Sequence, residues 1–486
     1  MLKRILILLL TLAMCVGVLV GCSKEEENKK PNDIVGGTDE EFEVDDDEIG
    51  KYDFKGAEFN IFTRSETSYE HDGSYGTDMI NQAIYDRNSA VEQRFNVLIN
   101  IKSMAGDWYH QEDFITALRA ESMAPTGAYD LVSTHSVYLG WMGAEGMMYD
   151  LTKLPEIDPT KSYWNQNLYR ELNVDGACYM MIGDIGHTLY EYITVMFVNT
   201  GVLEDRQLIE NDIQGLYELV DNGGWTWDVL YEMAKEVGDG VESYGLLMNT
   251  HALRASLVGE DVHIFTRDSQ TNRFYMTSAA TEHTIAAVEK LSKFFRQDNM
   301  YFTADGDWSC GEGELNPIFA AGGTLFYPQM LGQAMTIQES MGDNYSIVPL
   351  PKYDEFQSDY YTICRDTVTG VAVMNCAKDA TMSGVITQAL CYYASEYVTP
   401  EYYEKALKYR YNSDPKVVEI LDMIRDSLTI EAVPTYFDTG IDADMFRDII
   451  KNGKTEGVAS TWLDYQSQGN TLIQKFYVLM DAMKEE

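Results

Sequence analysis

The residue types that most often carry catalysis are spread along this chain of 486 residues without a catalytic arrangement. The seven histidines include no i, i+4 pair, and no Gly-x-Ser-x-Gly, Walker or His-Glu-x-x-His pattern occurs, nor a Gly-x-Gly-x-x-Gly after a predicted strand. Asp305 to Ser309 begin like a calcium loop, but Cys310 stands where that loop requires glycine. We therefore predict no enzyme activity, cofactor or metal ion. A pair of carboxylates for glycoside hydrolysis stays an alternative, because such a pair is defined by the distance between its two members in the folded protein.

Chemistry of another kind is predicted at Cys22. Two basic residues precede an apolar run over residues 5–20, and Gly21 is small enough for a signal peptidase pocket. We expect residues 1–21 to be a lipoprotein signal peptide and the Cys22 thiolate to be alkylated by a diacylglycerol group. The run is slightly shorter than the roughly 20 residues that span a bilayer, which disfavours a transmembrane anchor. Because two acyl chains anchor stably, we expect a lipid-anchored protein on the extracellular face of the cell membrane of a Gram-positive bacterium.

The overall charge narrows the class of partner. The chain carries 78 acidic and 36 basic side chains, which gives a formal net charge of -42. A field of this sign repels polyanions, so we expect no nucleic-acid partner and favour a neutral or cationic ligand over a phosphorylated one. The alternative that the charge serves only solubility stays open. The 33 tyrosines suit a wet recognition surface, because each offers an apolar face and a hydroxyl.

Five cysteines besides Cys22 follow the signal, and none stands at metal-ligand spacing. We expect buried thiols, although an oxidising compartment usually favours paired cysteines. A disulfide between two of Cys364, Cys376 and Cys391 is the alternative.

The apolar periodicity predicts an α/β chain that follows an acidic tether. Residues 22–50 have little to bury, so we expect a disordered tether, and the roughly 435 residues after it exceed what one core usually organises. Strands are predicted at 57–62, 97–101, 129–132, 193–199, 244–248 and 369–374, with a loop at 133–136 and a helix end, glycine turn and strand over 319–329. Helices are predicted at 79–95, 114–123, 205–221, 226–237, 280–297, 378–395 and through most of the chain from 402. This alternation indicates parallel sheets, which bind ligands at the carboxyl ends of their strands.

Six segments stand in a characteristic order along nearly the whole mature chain. They are Gly-Ala-Glu-Gly-Met-Met-Tyr-Asp-Leu-Thr at 143–152, Ala-Cys-Tyr-Met-Met-Ile-Gly-Asp at 177–184, Met-Phe-Val-Asn at 196–199, Gly-Trp-Thr-Trp-Asp at 224–228, Phe-Ala-Ala-Gly-Gly-Thr-Leu-Phe at 319–326 and Ile-Val-Pro-Leu-Pro-Lys-Tyr at 347–353. Each segment alone is weakly specific. Their order and spacing, together with the signal peptide, resemble the extracellular solute-binding proteins of ABC importers, in the large sugar-binding branch.

The resemblance implies a two-lobed α/β fold of the periplasmic-binding-protein type (type II). The chain then crosses between the lobes about three times, and a ligand is held in the cleft as the lobes close about the hinge. Crossings are expected near 190–195, 326–328 and 368–371, with Gly322, Gly323, Pro328 and Gly370 beside them either as hinge residues or as ordinary turn residues. The expected lobes are 51–190 with 328–368, and 191–327 with 369–486.

The resemblance also implies a carbohydrate site, which needs aromatic platforms for the C–H faces of a sugar and planar polar groups for its hydroxyls. The candidate platforms are Trp108, Trp308, Tyr327, Tyr361 and Tyr190. The candidate polar groups are Asp184 and Glu191 beside the first crossing, Ser136 and Ser65 after two predicted strands, and Arg365 with Asp366 before the third crossing. Asp184 is the strongest polar candidate, because a carboxylate there can take two sugar hydroxyls. Core packing for the aromatic residues and a capping role for Asp184 are the alternatives.

These inferences together predict a tethered monomeric carrier that binds a neutral oligosaccharide and delivers it to the transmembrane subunits of an ABC permease. A peptide or amino-sugar carrier of the same fold is the nearest alternative. A surface glycoside hydrolase would differ by turning its sugar over, and a passive glycan-binding or adhesion lipoprotein would lack hinge closure.

Overall fold

The computed structural model describes residues 49–76, 78–303, 313–341, 345–403, 415–436 and 441–485. Cys22 and Trp308 lie outside these residues, and so does the predicted tether up to residue 48, so their roles stay predictions. None of the helices within the described ranges combines the length and the apolar character of a membrane span.

The strands fall into two main sheets and two short pairs. In chain order they are β1 (Ala57–Arg64), β2 (Val97–Met104), β3 (Leu131–His135), β4 (Thr194–Asn199), β5 (Leu246–Met248), β6 (Thr266–Arg267), β7 (Phe274–Tyr275), β8 (Met300–Phe302), β9 (Phe326–Met330), β10 (Tyr345–Val348), β11 (Thr362–Ile363), β12 (Thr369–Val373) and β13 (Leu428–Thr429).

Helices alternate with these strands. In chain order they are α1 (Met79–Phe95), α2 (Gln111–Met123), α3 (Ser136–Ala144), α4 (Gln166–Leu172), α5 (Thr188–Glu191), α6 (Thr200–Arg206), α7 (Asp212–Asp221), α8 (Trp227–Ala234), α9 (Thr250–Gly259), α10 (Glu282–Phe294), α11 (Leu315–Ala320), α12 (Ala334–Met341), α13 (Ala380–Thr399), α14 (Pro415–Asp426), α15 (Ala432–Tyr436), α16 (Arg447–Lys451) and α17 (Val458–Glu485). Short 3-10 helices cover Ser65–Glu70, Leu151–Lys153, Leu331–Gln333 and Ala443–Phe446.

Sheet 1 forms the centre of the first lobe and has the strand order β12-β3-β1-β2. β1 runs parallel to β2 and β3, whereas β12 runs antiparallel to β3. Phe59, Ile61 and Phe62 of β1 are buried, and the Phe62 ring stacks between the rings of Phe114 and Tyr129 at centroid distances of 4.8 and 4.2 Å. Aromatic packing of this kind fixes α2 against the sheet.

Sheet 2 forms the centre of the second lobe and has the strand order β10-β4-β9-β5-β8. β4 is buried along its whole length and pairs antiparallel with β9 and β10, while β5 runs parallel to β8 and β9. The buried Trp225 donates its indole N–H to the Pro349 carbonyl at 2.8 Å. Thr226 caps α8 by accepting from the Val229 amide.

The strand pairs correct the expected division of the chain between the lobes. β12 pairs with β3 and so belongs to the first lobe, and β9 and β10 pair with β4 and so belong to the second. The crossing expected at 326–328 is also wrong, because Pro328 lies inside β9 opposite Met196. Proline is tolerated there since β5 pairs with β9 only at Phe326, so the missing N–H breaks no ladder on that side.

The lobes are joined by segments that lie side by side. Ile193 forms a bridge with Cys364, and β11 pairs in parallel with β13. The Arg365 amide donates to the Tyr192 carbonyl at 3.2 Å, and the Cys364 amide donates to the Thr429 carbonyl at 2.8 Å. We call these three segments, residues 192–193, 362–365 and 428–429, the hinge strands. Only the first lies at an expected crossing, because the crossing expected near 368–371 falls on β12 in sheet 1 and neither 362–365 nor 428–429 is predicted from the sequence.

Candidate functional site

The carboxyl ends of β3 in the first lobe and β9 in the second lie near the hinge strands, and this edge is where open α/β sheets bind ligands. In the first lobe β1 ends at Arg64 and β3 runs directly into α3. In the second lobe β5 is followed by α9, which carries His251. The lobes meet there at Arg365, whose Nη1 lies 3.1 Å from the Met330 sulfur and whose Nη2 lies 3.3 Å from the His251 Nε2. We call this region the cleft.

Three aromatic side chains pack together beside the cleft, with Tyr138 fully buried under the other two. The ring centroids of Trp108, Tyr138 and Trp141 lie 6.2 Å (Trp108 to Tyr138), 6.4 Å (Trp108 to Trp141) and 5.8 Å (Tyr138 to Trp141) apart. Trp108 is 51% exposed, and the Trp141 indole N–H is buried without a hydrogen-bond partner among the described residues. We call these residues the aromatic wall. A half-exposed indole ring such as that of Trp108 is suited to stacking against a bound molecule.

Arg64 lies beside the aromatic wall, at the end of β1. Its side chain is 3% exposed, and within the described part of the chain its Nε and Nη2 atoms have no hydrogen-bond partner. Gly106 gives the side chain its room, because a Cβ at that position would lie 2.7 Å from the Arg64 Cγ. A guanidinium that is buried without a partner is costly, so this group is the most unusual feature of the cleft.

Glu191 supplies a carboxyl group whose protonation changes near neutral pH. Burial, followed by repulsion from Glu70, raises the pKa of Glu191 to about 7. The Tyr69 hydroxyl donates to its Oε2 at 3.5 Å, and the His187 ring lies 3.7 Å from its Oε1. Burial lowers the pKa of His187, so this histidine stays neutral at pH 7. Glu191 can therefore accept or donate a hydrogen bond.

A second arginine, Arg254 on α9, binds carboxylates on several elements. Its Nη1 lies 3.1 Å from Asp366 Oδ2 and 3.4 Å from Asp442 Oδ2, and its Nε lies 3.0 Å from Glu431 Oε2. Burial, followed by repulsion from Asp442, raises the pKa of the neighbouring Asp444 to about 8. We call these five residues the Arg254 centre. It joins α9 to a hinge strand and to the C-terminal helices.

A separate cavity of about 990 Å³ lies next to β13 and the end of α9. Its lining includes Arg170, His263, Lys352, Tyr360 and Tyr361, but neither Arg64 nor the aromatic wall. Tyr361, one of the predicted platforms, is therefore placed in this cavity and not with Trp108.

The structure brings four of the predicted site residues to the cleft. Trp108 and Ser65 follow the ends of β2 and β1, and both are exposed. Glu191 and Arg365 lie next to the hinge strands in the positions described above. Trp308 lies outside the described residues.

Asp184 and Tyr190 form a pair away from the aromatic wall. The Tyr190 hydroxyl donates to Asp184 Oδ1 at 2.5 Å, and Tyr190 packs on Tyr403 at a centroid distance of 4.9 Å. Burial raises the pKa of Asp184 to about 6. The carboxyl group is thus already engaged within the protein.

Two further predicted residues hold the fold together. Tyr327 is fully buried, donates its hydroxyl to Asn316 at 2.8 Å and accepts from Gln329 at 2.6 Å. The Ser136 hydroxyl donates to the Asp366 carbonyl at 2.6 Å, which fixes the start of α3 to the chain beside the hinge.

Sequence reasoning missed Arg64, Tyr138 and Trp141. Arg64 directly precedes the candidate Ser65, but nothing in the local pattern reveals that its side chain is buried. Tyr138 and Trp141 stand three residues apart, a spacing that places them on one face of a helix. The sequence pattern does not predict this helix. Residues 133–136 are not the expected loop, because β3 continues to His135 and α3 begins at Ser136.

The described residues contain no group of three or more His, Cys, Asp or Glu side chains that could hold a metal ion. Cys178, Cys364, Cys376 and Cys391 are free thiols, and all but Cys376 are buried. Burial raises the pKa of the Cys178 thiol to about 12, so it stays protonated.

No protein-family model and no curated protein matches the chain. Several solved structures are similar to this chain in fold. One is the galacto-N-biose/lacto-N-biose I-binding protein of an ABC transporter from Bifidobacterium longum in complex with lacto-N-biose. The match has a TM-score of 0.60 and 14% sequence identity, and it covers 87% of this chain and 98% of that one. The cyclic α-maltosyl-1,6-maltose-binding protein of Arthrobacter globiformis (TM-score 0.58, 13% identity, 86% and 99%) and a sugar transporter of Rhizobium etli in an open conformation (TM-score 0.56, 12% identity, 86% and 99%) are also similar. The chain therefore has the two-lobed α/β fold of the sugar-binding proteins of ABC transporters.

Proposed function

We propose that this chain captures an oligosaccharide in its cleft and delivers it to an ABC permease. The aromatic wall is the observation that carries the proposal. Sugar rings present apolar C–H faces, and the half-exposed Trp108 next to Tyr138 and Trp141 offers an apolar surface of matching kind.

The polar groups beside the wall support the same conclusion. Glu191, whose side chain is 21% exposed, can donate or accept a hydrogen bond, and the buried Arg64 adds a positive charge next to Tyr138. A ligand site of this kind is mostly apolar with a few placed polar groups that fix orientation. Proteins of similar fold bind lacto-N-biose and cyclic α-maltosyl-1,6-maltose, which agrees with a site for more than one sugar unit.

The rest of the predicted biology belongs to the same proposal. The protein acts as a monomer on the outer face of the membrane, held by a diacylglycerol group on Cys22, and it returns its ligand chemically unchanged. Closure of the lobes about the hinge strands encloses the sugar and presents a closed form to the permease.

A thermal-shift screen of the soluble chain starting at Lys51 tests this function, because a ligand that binds only the folded state raises the melting temperature. The panel holds oligosaccharides, amino sugars and peptides, and each hit is recovered and analysed for breakdown. We expect a selective rise with one glycan class, recovered intact and weakened by Trp108→Ala but not by Tyr109→Ala. Tyr109 is the matched control, since it is adjacent and 93% exposed. A hit restricted to peptides, or hydrolysis of the sugar, contradicts the proposal.

A further inference from the structure

The cavity of about 990 Å³ beside β13 is large enough for a small molecule and is separate from the cleft. Its lining comes from both lobes, because Arg170 lies on α4 of the first lobe and residues 355–361 follow sheet 2 of the second. Tyr361 stands at the start of β11, whereas Arg365, beyond the end of that strand, lies at the cleft. We call this space the hinge cavity.

Two aromatic rings of the hinge cavity are open to a ligand. Phe356 is 87% exposed, and Tyr361 is half-buried. Within the described ranges neither ring has a stacking partner or a cation over its face. The buried ring of Tyr360 in the same lining is different, because Lys352 Nζ lies 5.4 Å from its centroid. The hinge cavity thus holds one ring that a protein cation already faces and two rings that are free to receive one.

Carboxylates adjoin both open rings along the chain. Glu355 and Asp359 are exposed, and the described residues give neither an ion pair. Asp359 is close to Tyr361 in space as well, because burial raises the pKa of Tyr361 and the charges of Asp261 and Asp359 raise it further. Asp261 itself pairs with His263 at 2.9 Å. Glu355 and Asp359 are therefore the carboxylates available to a cation from outside.

The loop that carries these four side chains is held in place by the protein. Gln357 at its centre donates to the Gly259 and Asp359 carbonyls at 2.8 Å each and accepts from the Tyr353 amide at 2.8 Å. The buried Lys352 donates to the Gln357 carbonyl at 2.7 Å. A loop that is already fixed loses little freedom when a ligand binds, which favours binding.

The charge of the lining selects the sign of the ligand. Seven carboxylates line the hinge cavity, against Arg170, Lys352 and His263. Lys352 is buried, and Arg170 donates to Asn167 on its own helix. This balance disfavours an anion. Carboxylates beside open aromatic faces are instead the combination that holds an ammonium group, through charge-assisted hydrogen bonds and through cation–π attraction.

We propose that the hinge cavity binds a small organic cation, whose ammonium group pairs with the carboxylates of Glu355 and Asp359 and lies against the rings of Phe356 and Tyr361. This site is distinct from the carbohydrate site in the cleft and does not depend on it.

Titration calorimetry with charged and neutral molecules of matched shape tests the proposal. The cations are choline and putrescine, and their neutral counterparts are 3,3-dimethylbutan-1-ol and butane-1,4-diol. We expect at least one cation to bind about tenfold more tightly than its counterpart, with an affinity that falls as salt rises. Equal or tighter binding of the neutral counterparts overturns the proposal, and so does the absence of binding by both cations. Either result leaves the carbohydrate function standing, because the sugar screen tests that function separately.

Variants of the loop locate the site. Glu355→Gln and Asp359→Asn each remove a charge with little change in shape, and we expect each to weaken the cation about threefold and the double variant about tenfold. Tyr361→Leu should also weaken the cation, whereas Tyr361→Phe keeps the ring and should not. The controls are Glu242→Gln, at an exposed carboxylate of the same lobe outside the hinge cavity, and Trp108→Ala in the aromatic wall. An unchanged affinity in the double variant, or a loss in Trp108→Ala, places the cation elsewhere and overturns the proposal.

Discussion

Arg64 and Arg254 are two guanidinium groups near the same hinge, and they differ in what surrounds them. Arg254 is bound by Asp366, Glu431 and Asp442 from three separate parts of the chain. Arg64 is more deeply buried, yet its Nε and Nη2 have no partner in the described residues. The first charge is paired within the fold, whereas the second is buried with two of its donors unpaired, at a cost in stability.

The comparison separates a structural role from a binding role by a simple criterion. Removing a charge that the fold uses should unfold the protein, and removing a charge that the fold does not use should spare stability and change ligand affinity. Residue type and burial alone would have given the two arginines the same role. The following predictions test the distinction.

The largest effect is expected at Arg254. Arg254→Met leaves Asp366, Glu431 and Asp442 facing one another without a cation, and breaking a buried ion pair in this way typically costs about 3 to 5 kcal/mol. Urea unfolding measures the loss. The surface variant Arg119→Met should lose less than about 1 kcal/mol. An unchanged midpoint for Arg254→Met would show that the Arg254 centre does not hold the lobes together.

Arg64→Gln should have the opposite profile. We expect its free energy of unfolding to equal or exceed that of the unaltered chain, because a buried unpaired charge has been removed. A loss of sugar affinity in the same variant would place Arg64 in the binding site. Unfolding curves and calorimetry on the same preparation provide both values. A loss of stability as large as that at Arg254 would mark Arg64 as structural and erase the contrast.

The Arg254 centre should also make stability depend on pH. The pKa of Asp444 is about 8 in the folded state, above its unfolded value of about 3.9, so the folded state holds the proton more tightly. The contribution of Asp444 to the free energy of unfolding is fully present below pH 4. It is lost as the pH rises towards 8, with a slope of at most about 1.4 kcal/mol per pH unit. Unfolding at several pH values should show this fall, and Asp444→Asn should flatten it. A slope of opposite sign would contradict the assignment.

A smaller effect on binding is expected at the aromatic wall. Trp108→Ala should weaken sugar binding by about 1 kcal/mol through the loss of ring stacking, with little change in melting temperature because the side chain is half exposed. Calorimetry against Tyr109→Ala measures the difference. Equal affinities for the two variants would remove Trp108 from the site.

The smallest effect is expected at Asp184→Asn. The carboxyl group already pairs with Tyr190, and an amide can still accept that hydrogen bond. Stability should change by less than about 0.5 kcal/mol, and sugar affinity should not change. A clear loss of affinity would return Asp184 to the binding site.

Local patterns predicted much of the secondary structure. The helix expected at 79–95 is α1, because Asp78 caps its first turn and Asn96 ends it in a left-handed conformation. The strand expected at 193–199 is β4, and the glycine turn near Gly322 precedes β9. By contrast, the division into lobes was partly wrong. The partner of a strand is set by hydrogen bonds between distant segments, which no local pattern records.

The sequence predicts a residue of the candidate site only where its position relative to a strand or lobe crossing is enough to bring it to the cleft. Glu191 and Arg365 flank a lobe crossing, and Trp108 follows a strand, so topology brings them to the cleft. Whether a side chain is buried, and whether a neighbour satisfies it, depends on packing. For this reason Asp184 is predicted to be open and is paired, whereas Arg64 is not predicted and is buried with two of its donors unpaired.

The late pairing of β12 with β3 affects how a newly made chain reaches its final form. β3 ends at His135, but its antiparallel neighbour begins only at Thr369. At synthesis rates of 5 to 20 residues per second, the edge of β3 stays unpaired for roughly 10 to 50 s. An unpaired strand edge is a template for association with other chains. The edge of β3 is therefore the part of sheet 1 that a newly made chain leaves unpaired until Val373 has been synthesised.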